Sequence, residues 1–166
     1  EDYRTEYLWN EILTPDSILD IIENFVLLSQ ESEKEWSNEK KMVVEKKYEV
    51  LIFPRYHQLE VIRNLRSKVK EEGVGHNYLI QHTTGSGKSY SIAYLSHTLT
   101  SLYQKDGDTK RMFDTILVIT DRKVLDKQLQ GTVSKLEQTA GVVNPVDLTS
   151  KQLMEFLEKG KDIIIT

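Results

Sequence analysis

The stretch that decides the fold is Tyr78-Leu79-Ile80-Gln81-His82-Thr83-Thr84-Gly85-Ser86-Gly87-Lys88-Ser89. Its first four residues are an apolar run typical of a short strand, and a loop with two glycines follows at once. Beyond the loop, a helical pattern places a buried face on Ile92, Leu95, Leu99 and Leu102. A strand, a glycine-rich turn and a helix in this order are the setting in which a loop binds phosphate.

The loop has the residue types that a nucleoside triphosphate requires. Gly85 and Gly87 allow the backbone to turn tightly, so that successive N–H groups converge on the β-phosphate beside a positive helix N-terminus. We expect Lys88 to be the catalytic cation on the β- and γ-phosphates, and the Ser89 hydroxyl to ligate Mg²⁺. ATP and Mg²⁺ are therefore the predicted ligands. The predicted binding residues of the loop are Thr84, Gly85, Ser86, Gly87, Lys88 and Ser89.

A second candidate element precedes the loop, in Phe53-Pro54-Arg55-Tyr56-His57-Gln58. The side chain of Gln58 offers both a donor and an acceptor, which is the pair of groups that reads adenine bidentately. We predict that Gln58 selects adenine and that Arg55 also contributes to nucleotide binding. The first position of the full phosphate-loop pattern is His82 instead of glycine, and we interpret His82 as a residue that closes the loop. The four histidines are scattered and lack metal-ligand spacing, so each is assigned a structural or surface role.

The remaining pattern alternates helices with apolar runs, which indicates an α/β fold with a parallel sheet. Thr14-Pro15-Asp16 predicts a helix start, and Ile18, Ile21, Ile22 and Phe25 then define a buried face. Residues 30–47 are polar and charged, as in a solvated linker or an exposed hairpin. Helices are predicted over residues 56–70, 124–136 and 151–158, the second with Leu125, Leu129, Val133 and Leu136 inward, and buried strands over residues 115–120 and 163–166.

Composition excludes several classes of protein. The 166 residues are 39% hydrophobic and 29% charged, as in a globular protein, and no run approaches a membrane span. Cysteine is absent, which removes thiolate catalysis and disulfides and fits a cytoplasmic location. The net charge of -4 argues against a generally basic nucleic-acid coat, although a local basic groove is compatible with it.

Three segments together resemble the motifs of superfamily 2 helicases and translocases. Residues 53–58 resemble the adenine-recognising Q motif, residues 81–89 resemble motif I, and Val118-Ile119-Thr120-Asp121-Arg122 with Leu125 and Gln128 resembles motif Ia. The combination is most similar to the motor subunit of type I restriction–modification enzymes. Tyr7-Leu8-Trp9-Asn10-Glu11 and the helix after it are also similar to the connector between nuclease and motor in those subunits.

The resemblance implies a RecA-like domain in which ATP hydrolysis moves double-stranded DNA past methyltransferase and specificity subunits. It assigns residues 1–47 to a helical connector and charged linker, and residues 48–166 to the N-terminal part of the first motor domain. The positions that correspond to DNA-backbone contacts are Thr120, Asp121, Arg122 and Lys123. Because no Asp-Glu box follows residues 162–166 and no nuclease domain precedes the connector, we expect a fragment that binds ATP weakly and hydrolyses it poorly.

Two alternatives remain open at this point. Another superfamily 2 motor, such as an RNA helicase or a remodelling translocase, shares the same three motifs. A nucleotide-binding interaction module without catalysis is the alternative from a different class, and it predicts a partner surface on the helix at residues 18–28. Packing of that helix entirely against the chain's own sheet would count against the module.

Overall fold

The computed structural model describes residues 3, 5–37, 41–104, 109–121, 123–137, 141–146 and 149–166. The chain divides into two compact units, Glu1–Pro54 and Arg55–Thr166. Residues 47 and 48 lie inside a β-strand that continues to Ile52, and the assignment of residues 1–47 to a connector and 48–166 to a motor domain stays a prediction. Each unit is described by itself.

The first unit contains a short π-helix, Leu8–Ile12, the helix α1, Pro15–Asn24, and a hairpin of the strands β1, Leu27–Ser37, and β2, Met42–Ile52. The segment expected to be a charged linker is therefore the hairpin, which was the other form proposed for it. The strands are antiparallel, and their register places Glu33 opposite Lys46 and Lys34 opposite Glu45. Opposite charges at facing positions stabilise such a pairing.

The predicted buried face of α1 is wrong for two of its four residues. Ile18 and Ile22 are 36% and 59% exposed, whereas Phe25 is fully buried and Ile21 is half-buried. The burial in this unit is concentrated where α1 leads into β1, at Phe25 and Leu27. Helical spacing identifies an apolar face, but the amount of it that is covered depends on tertiary contacts.

The second unit has the predicted α/β architecture with a parallel sheet. Three strands pair in the order β3 (Ile116–Val118), β5 (Ile163–Ile165) and β4 (Val143–Pro145), and both pairings are parallel. The central strand β5 is fully buried at all three residues, and β4 was not predicted. The elements are α2, Tyr56–Glu72; α3, Lys88–Thr100; β3, Ile116–Val118; α4, Lys123–Lys135; β4, Val143–Pro145; α5, Ser150–Glu158; and β5, Ile163–Ile165.

Two strand predictions need correction. Residues 78–81 are irregular instead of a strand, Leu79 is 93% exposed, and the Tyr78 hydroxyl donates to Glu72 Oε2 at 2.6 Å. A strand requires hydrogen bonds to a neighbour, and the described residues form no β-ladder with this run. The run that contains β3 was expected to be covered on both sides, but Leu117 and Ile119 are 42% and 73% exposed, so one of its sides is open.

The helices pack largely through the positions that periodicity selects. Leu129, Val133 and Leu136 are buried around α4 as predicted, while the side chain of Leu125 lies outside the described residues. No helix in the described ranges is both long enough and apolar enough to cross a membrane.

On α3 the prediction is wrong at Ile92, which is 39% exposed, although Leu102 beyond its end is buried. The buried positions of α3 include Tyr94, Ser96 and Thr98. The hydroxyls of Ser96 and Thr98 are satisfied because they donate to carbonyls one turn earlier in the helix. Burial raises the pKa of Tyr94 to about 12.

The Arg111 side chain bridges Thr100, the last residue of α3, and Asp162, the residue before β5. Arg111 Nη1 lies 2.5 Å from Asp162 Oδ1 and 3.3 Å from the Thr100 carbonyl oxygen. The hydrogen bond to Asp162 raises the pKa of Arg111. This contact holds the helix that follows the glycine-rich loop against the central strand.

Candidate nucleotide-binding site

The glycine-rich loop, residues 83–89, leads directly into α3. Gly85 and Gly87 have positive φ angles of 78° and 83°, which side chains with a Cβ rarely adopt. Gly87 is the N-cap of α3, and its carbonyl accepts from the N–H groups of Tyr90 and Ser91 at 3.0 and 3.2 Å. Helix geometry leaves the amides before Tyr90 without an acceptor inside the helix, so they are available to an anion.

Lys88 is the first residue of this helix, and its ammonium group donates hydrogen bonds to the loop backbone. Its Nζ atom donates to the Thr83 carbonyl at 2.8 Å and to the His82 carbonyl at 3.3 Å, and the side chain is exposed. A hydrogen bond from an ammonium group to an anionic oxygen is stronger than one to a neutral carbonyl. A phosphate group at the loop would therefore compete well for Lys88.

Three side chains from the beginning of α2 hold three successive carbonyl oxygens of the loop. The bonds join Arg55 Nη1 to Gly85 at 3.3 Å, His57 Nε2 to Ser86 at 2.9 Å and Gln58 Nε2 to Gly87 at 3.0 Å. The N–H of a trans peptide points opposite to its carbonyl. Carbonyls held toward α2 therefore turn the amides of residues 86–88 to the other side. The Ser86 N–H there donates to the Thr83 carbonyl at 3.4 Å, a long bond that an anion would replace.

Gln58 is the most enclosed of these donors, with 3% of its surface exposed. Its Oε1 accepts from the Arg55 N–H at 2.8 Å while its Nε2 donates to Gly87, so both ends of the carboxamide bind protein backbone. Arg55 and Gln58 thus lie at the loop, as the sequence indicates. Their contacts there are to the carbonyl oxygens of the loop backbone. The contact of Gln58 with adenine stays a prediction.

The identity of Gly87 follows from the same geometry. A Cβ atom placed on Gly87 would lie 2.7 Å from Gln58 Nε2, closer than van der Waals contact allows. Gly85 has open space at the corresponding position, so it needs glycine only for its backbone angle. Two features therefore favour glycine at position 87: its positive φ angle and the close approach of Gln58.

His57 is the residue of this site that the sequence analysis missed, since it was given a structural or surface role. Its ring stands edge-on to that of His82, with centroids 5.1 Å apart and planes at 89°. The His82 Nδ1 atom is buried and has no hydrogen-bond partner among the described residues. The position of His57 between Arg55 and Gln58, on one helical turn beside the loop, is the signal that would have indicated it.

The described residues of the segment that resembles motif Ia, Val118 to Asp121, lie at the carboxyl end of β3, and none of these four takes part in the loop hydrogen bonds given above. The Thr120 N–H donates to the Thr166 carbonyl at 2.8 Å, which extends the pairing of β3 with β5. Asp121 is exposed and Lys123 begins α4, whereas Arg122 lies outside the described residues. Their expected contact with DNA stays a prediction.

The loop fits a triphosphate by the chemistry of its own groups. Its amides are turned away from α2, Lys88 lies beside them, and Ser86 Oγ is buried with no hydrogen-bond partner in the described part of the chain. Ser89 stands on the first turn of α3, at the position from which a hydroxyl would reach a nucleotide-bound metal.

The fold and this loop define the chain as an α/β protein with a glycine-rich turn at a helix N-terminus. A family model described as SWI2/SNF2 ATPase matches residues 57–166, more than half of the chain. The chain therefore belongs to the SWI2/SNF2 ATPase family. The matched segment begins at His57 and includes Gln58 and the whole loop.

Curated relatives confirm the resemblance to type I restriction enzymes. They include the endonuclease subunits of such enzymes from Staphylococcus aureus strains COL, MSSA476 and MRSA252. Each is 28% identical over 125 residues, which cover 75% of this chain and 12% of the relative. The chain thus spans a small part of the length of these relatives. No solved structure matches it.

Proposed function

We propose that this chain is the ATP-binding part of a type I restriction enzyme motor subunit, in a RecA-like domain. The observation that carries the proposal is the set of three hydrogen bonds from α2 to the carbonyls of residues 85–87. Those bonds aim the loop amides at the place where a β-phosphate would lie. Membership of an ATPase family and the type I relatives support the same assignment.

The proposed roles follow from positions in the loop. The amides of residues 86–88 bind the β-phosphate, Lys88 neutralises the β- and γ-phosphates, and Ser89 holds the Mg²⁺ that accompanies the nucleotide. Bound ATP supplies the phosphoanhydride bond whose hydrolysis would drive movement along double-stranded DNA. Thr120, Asp121, Arg122 and Lys123 are the proposed contacts to the DNA backbone, with methyltransferase and specificity subunits as protein partners in the cytoplasm.

Calorimetry with Mg·ATP on the wild-type chain and on Lys88→Ala tests nucleotide binding. Loss of hydrogen bonds to a charged donor corresponds to a dissociation constant raised by about tenfold or more. Lys151→Ala is the matched control, because Lys151 is an exposed lysine on α5, away from the loop. Equal affinity in wild type and Lys88→Ala would disprove the assignment of the loop.

A remodelling translocase is the second candidate, and the SWI2/SNF2 family match favours it. The two functions differ in their partners. We expect a tagged chain, co-expressed with the methyltransferase and specificity subunits of a type I system, to co-elute with them. Elution of the chain alone, with ATP binding retained, would favour the remodelling translocase.

A further inference from the structure

We propose that His57 is a positioning residue for the glycine-rich loop and that His82 holds the His57 ring in place. The proposal rests on the proposed nucleotide binding, and it concerns how the loop is kept in its binding conformation. It is carried by the hydrogen bond from His57 Nε2 to the Ser86 carbonyl at 2.9 Å and by the perpendicular contact of the two imidazole rings.

The Ser86 carbonyl is the one in this loop that most needs a tether. Ser86 stands between Gly85 and Gly87, both at positive φ, so its two neighbours are the residues that rotate most freely. Without a hydrogen bond to its carbonyl, the peptide between residues 86 and 87 would turn easily. Its N–H would then leave the side of the loop that faces the anion.

The donor in this bond is defined by chemistry. A carbonyl oxygen carries no proton, so Nε2 of His57 must carry one. Both the neutral Nε2–H tautomer and the imidazolium ion satisfy this requirement. A side chain with an amide nitrogen at the same reach can therefore replace His57.

His82 connects this contact to Lys88. Its ring meets the His57 ring edge-on at a centroid distance of 5.1 Å, and its carbonyl accepts from Lys88 Nζ at 3.3 Å. The perpendicular arrangement is a favourable geometry for two aromatic rings. Glycine, the usual residue at this position of the phosphate-loop pattern, has no ring to restrain His57. The pair is thus a particular feature of this loop.

Two substitutions distinguish the effect of the His57 hydrogen-bond donor from that of its aromatic ring. His57→Phe keeps an aromatic ring against His82 and removes the donor, whereas His57→Gln places an amide donor near the former Nε2. The probe is Mg·tripolyphosphate, which has the phosphates without adenine. We expect His57→Phe to weaken its binding about fivefold, the effect of one net hydrogen bond, and His57→Gln to stay within about twofold of wild type. ATP should weaken by the same factor as tripolyphosphate.

The matched control is His76→Phe, because His76 is an exposed histidine in the irregular segment before the loop. Its binding of tripolyphosphate should equal that of wild type. Equal weakening by His57→Phe and His57→Gln would overturn the positioning role, since a packing role does not distinguish them by their donor. Unchanged binding in His57→Phe would overturn it as well.

The role of His82 is tested by coupling. His82→Ala should weaken tripolyphosphate binding in the wild-type background and have little further effect in His57→Phe, because its ring acts through His57. Additive effects of the two substitutions would show that His82 acts independently and would overturn the proposed pair.

Amide hydrogen exchange, measured without nucleotide, tests this inference independently of the proposed function. The amides of Ser86, Tyr90 and Ser91, which donate to the Thr83 and Gly87 carbonyls, should exchange faster in His57→Phe than in wild type or His57→Gln. If the wild type bound neither ATP nor tripolyphosphate, the proposed function would fail, while this exchange pattern would still support the tether. Identical exchange in all three proteins would reject the tether even if ATP binds.

Discussion

Gln58 Nε2 donates a hydrogen bond to the Gly87 carbonyl oxygen at 3.0 Å, across 29 residues of sequence. The same side chain accepts from the Arg55 N–H at 2.8 Å, so one buried carboxamide joins the first turn of α2 to the N-cap of α3. The glycine-rich loop is therefore shaped by the helix before it as well as by its own glycines.

Gly87→Ala should weaken phosphate binding and destabilise the fold. The new Cβ would meet Gln58 Nε2 at 2.7 Å, and alanine at a φ of 83° adds about 1–2 kcal/mol of backbone strain. Urea unfolding and Mg·ATP calorimetry measure the two effects. Gly160→Ala is the matched control, since Gly160 has a φ of 60° with open space around it, and it should show strain with no loss of binding.

Gln58→Ala should weaken ATP and tripolyphosphate by the same factor, because both contacts of the carboxamide in this structure are to protein backbone. The free energy of unfolding should fall by about 1–3 kcal/mol, the cost of leaving buried partners unsatisfied. Calorimetry with each ligand is the measurement. A selective loss of ATP, with tripolyphosphate unchanged, would instead identify Gln58 as a reader of adenine.

His97 should make stability depend on pH. Burial lowers its pKa below the ordinary 6.5, although the hydrogen bond to Val133 and the charge of Glu137 act in the opposite direction. As the pH drops below 6.5, His97 takes up a proton in the unfolded chain before it does so in the folded chain. The contribution of His97 to stability therefore falls as the pH drops from 6.5 to the lower pKa of the folded state.

His97→Gln removes the titration and retains an amide donor for the Val133 carbonyl, which Nε2 approaches at 2.8 Å. Urea unfolding at about pH 7.5 and about pH 5.5 should show a smaller loss of stability on acidification in the variant than in wild type. The opposite order would mean that Glu137 and the hydrogen bond outweigh burial.

Ile164→Ala should destabilise the second unit by about 2–5 kcal/mol, because it leaves a cavity at a fully buried position. Ile164 lies at the middle of β5, between Leu117 of β3 and Asn144 of β4. Ile119→Ala is the control, since its side chain is 73% exposed and should change the unfolding free energy by less than about 0.5 kcal/mol. Similar losses for both variants would contradict the burial of Ile164 and the exposure of Ile119.

Local pattern predicted the helices and the parallel α/β class, since apolar spacing and glycine placement are local properties. It predicted too much burial at Ile18 and Ile22, at Ile92, and along residues 115–120. It also predicted a strand at residues 78–81, where the described residues provide no ladder partner. Each error has the same cause: periodicity shows which face is apolar and does not show what covers it.

The sequence by itself determined the glycine-rich loop, because the backbone angles at Gly85 and Gly87 and the charge of Lys88 depend on residue type at fixed spacing. Only the tertiary structure decided the partners of the loop. It directs Arg55, His57 and Gln58 onto three neighbouring carbonyls, and it sets the two histidine rings edge to face. The physical reason is that the contacts of a side chain depend on how two helices, distant in sequence, lie against one another.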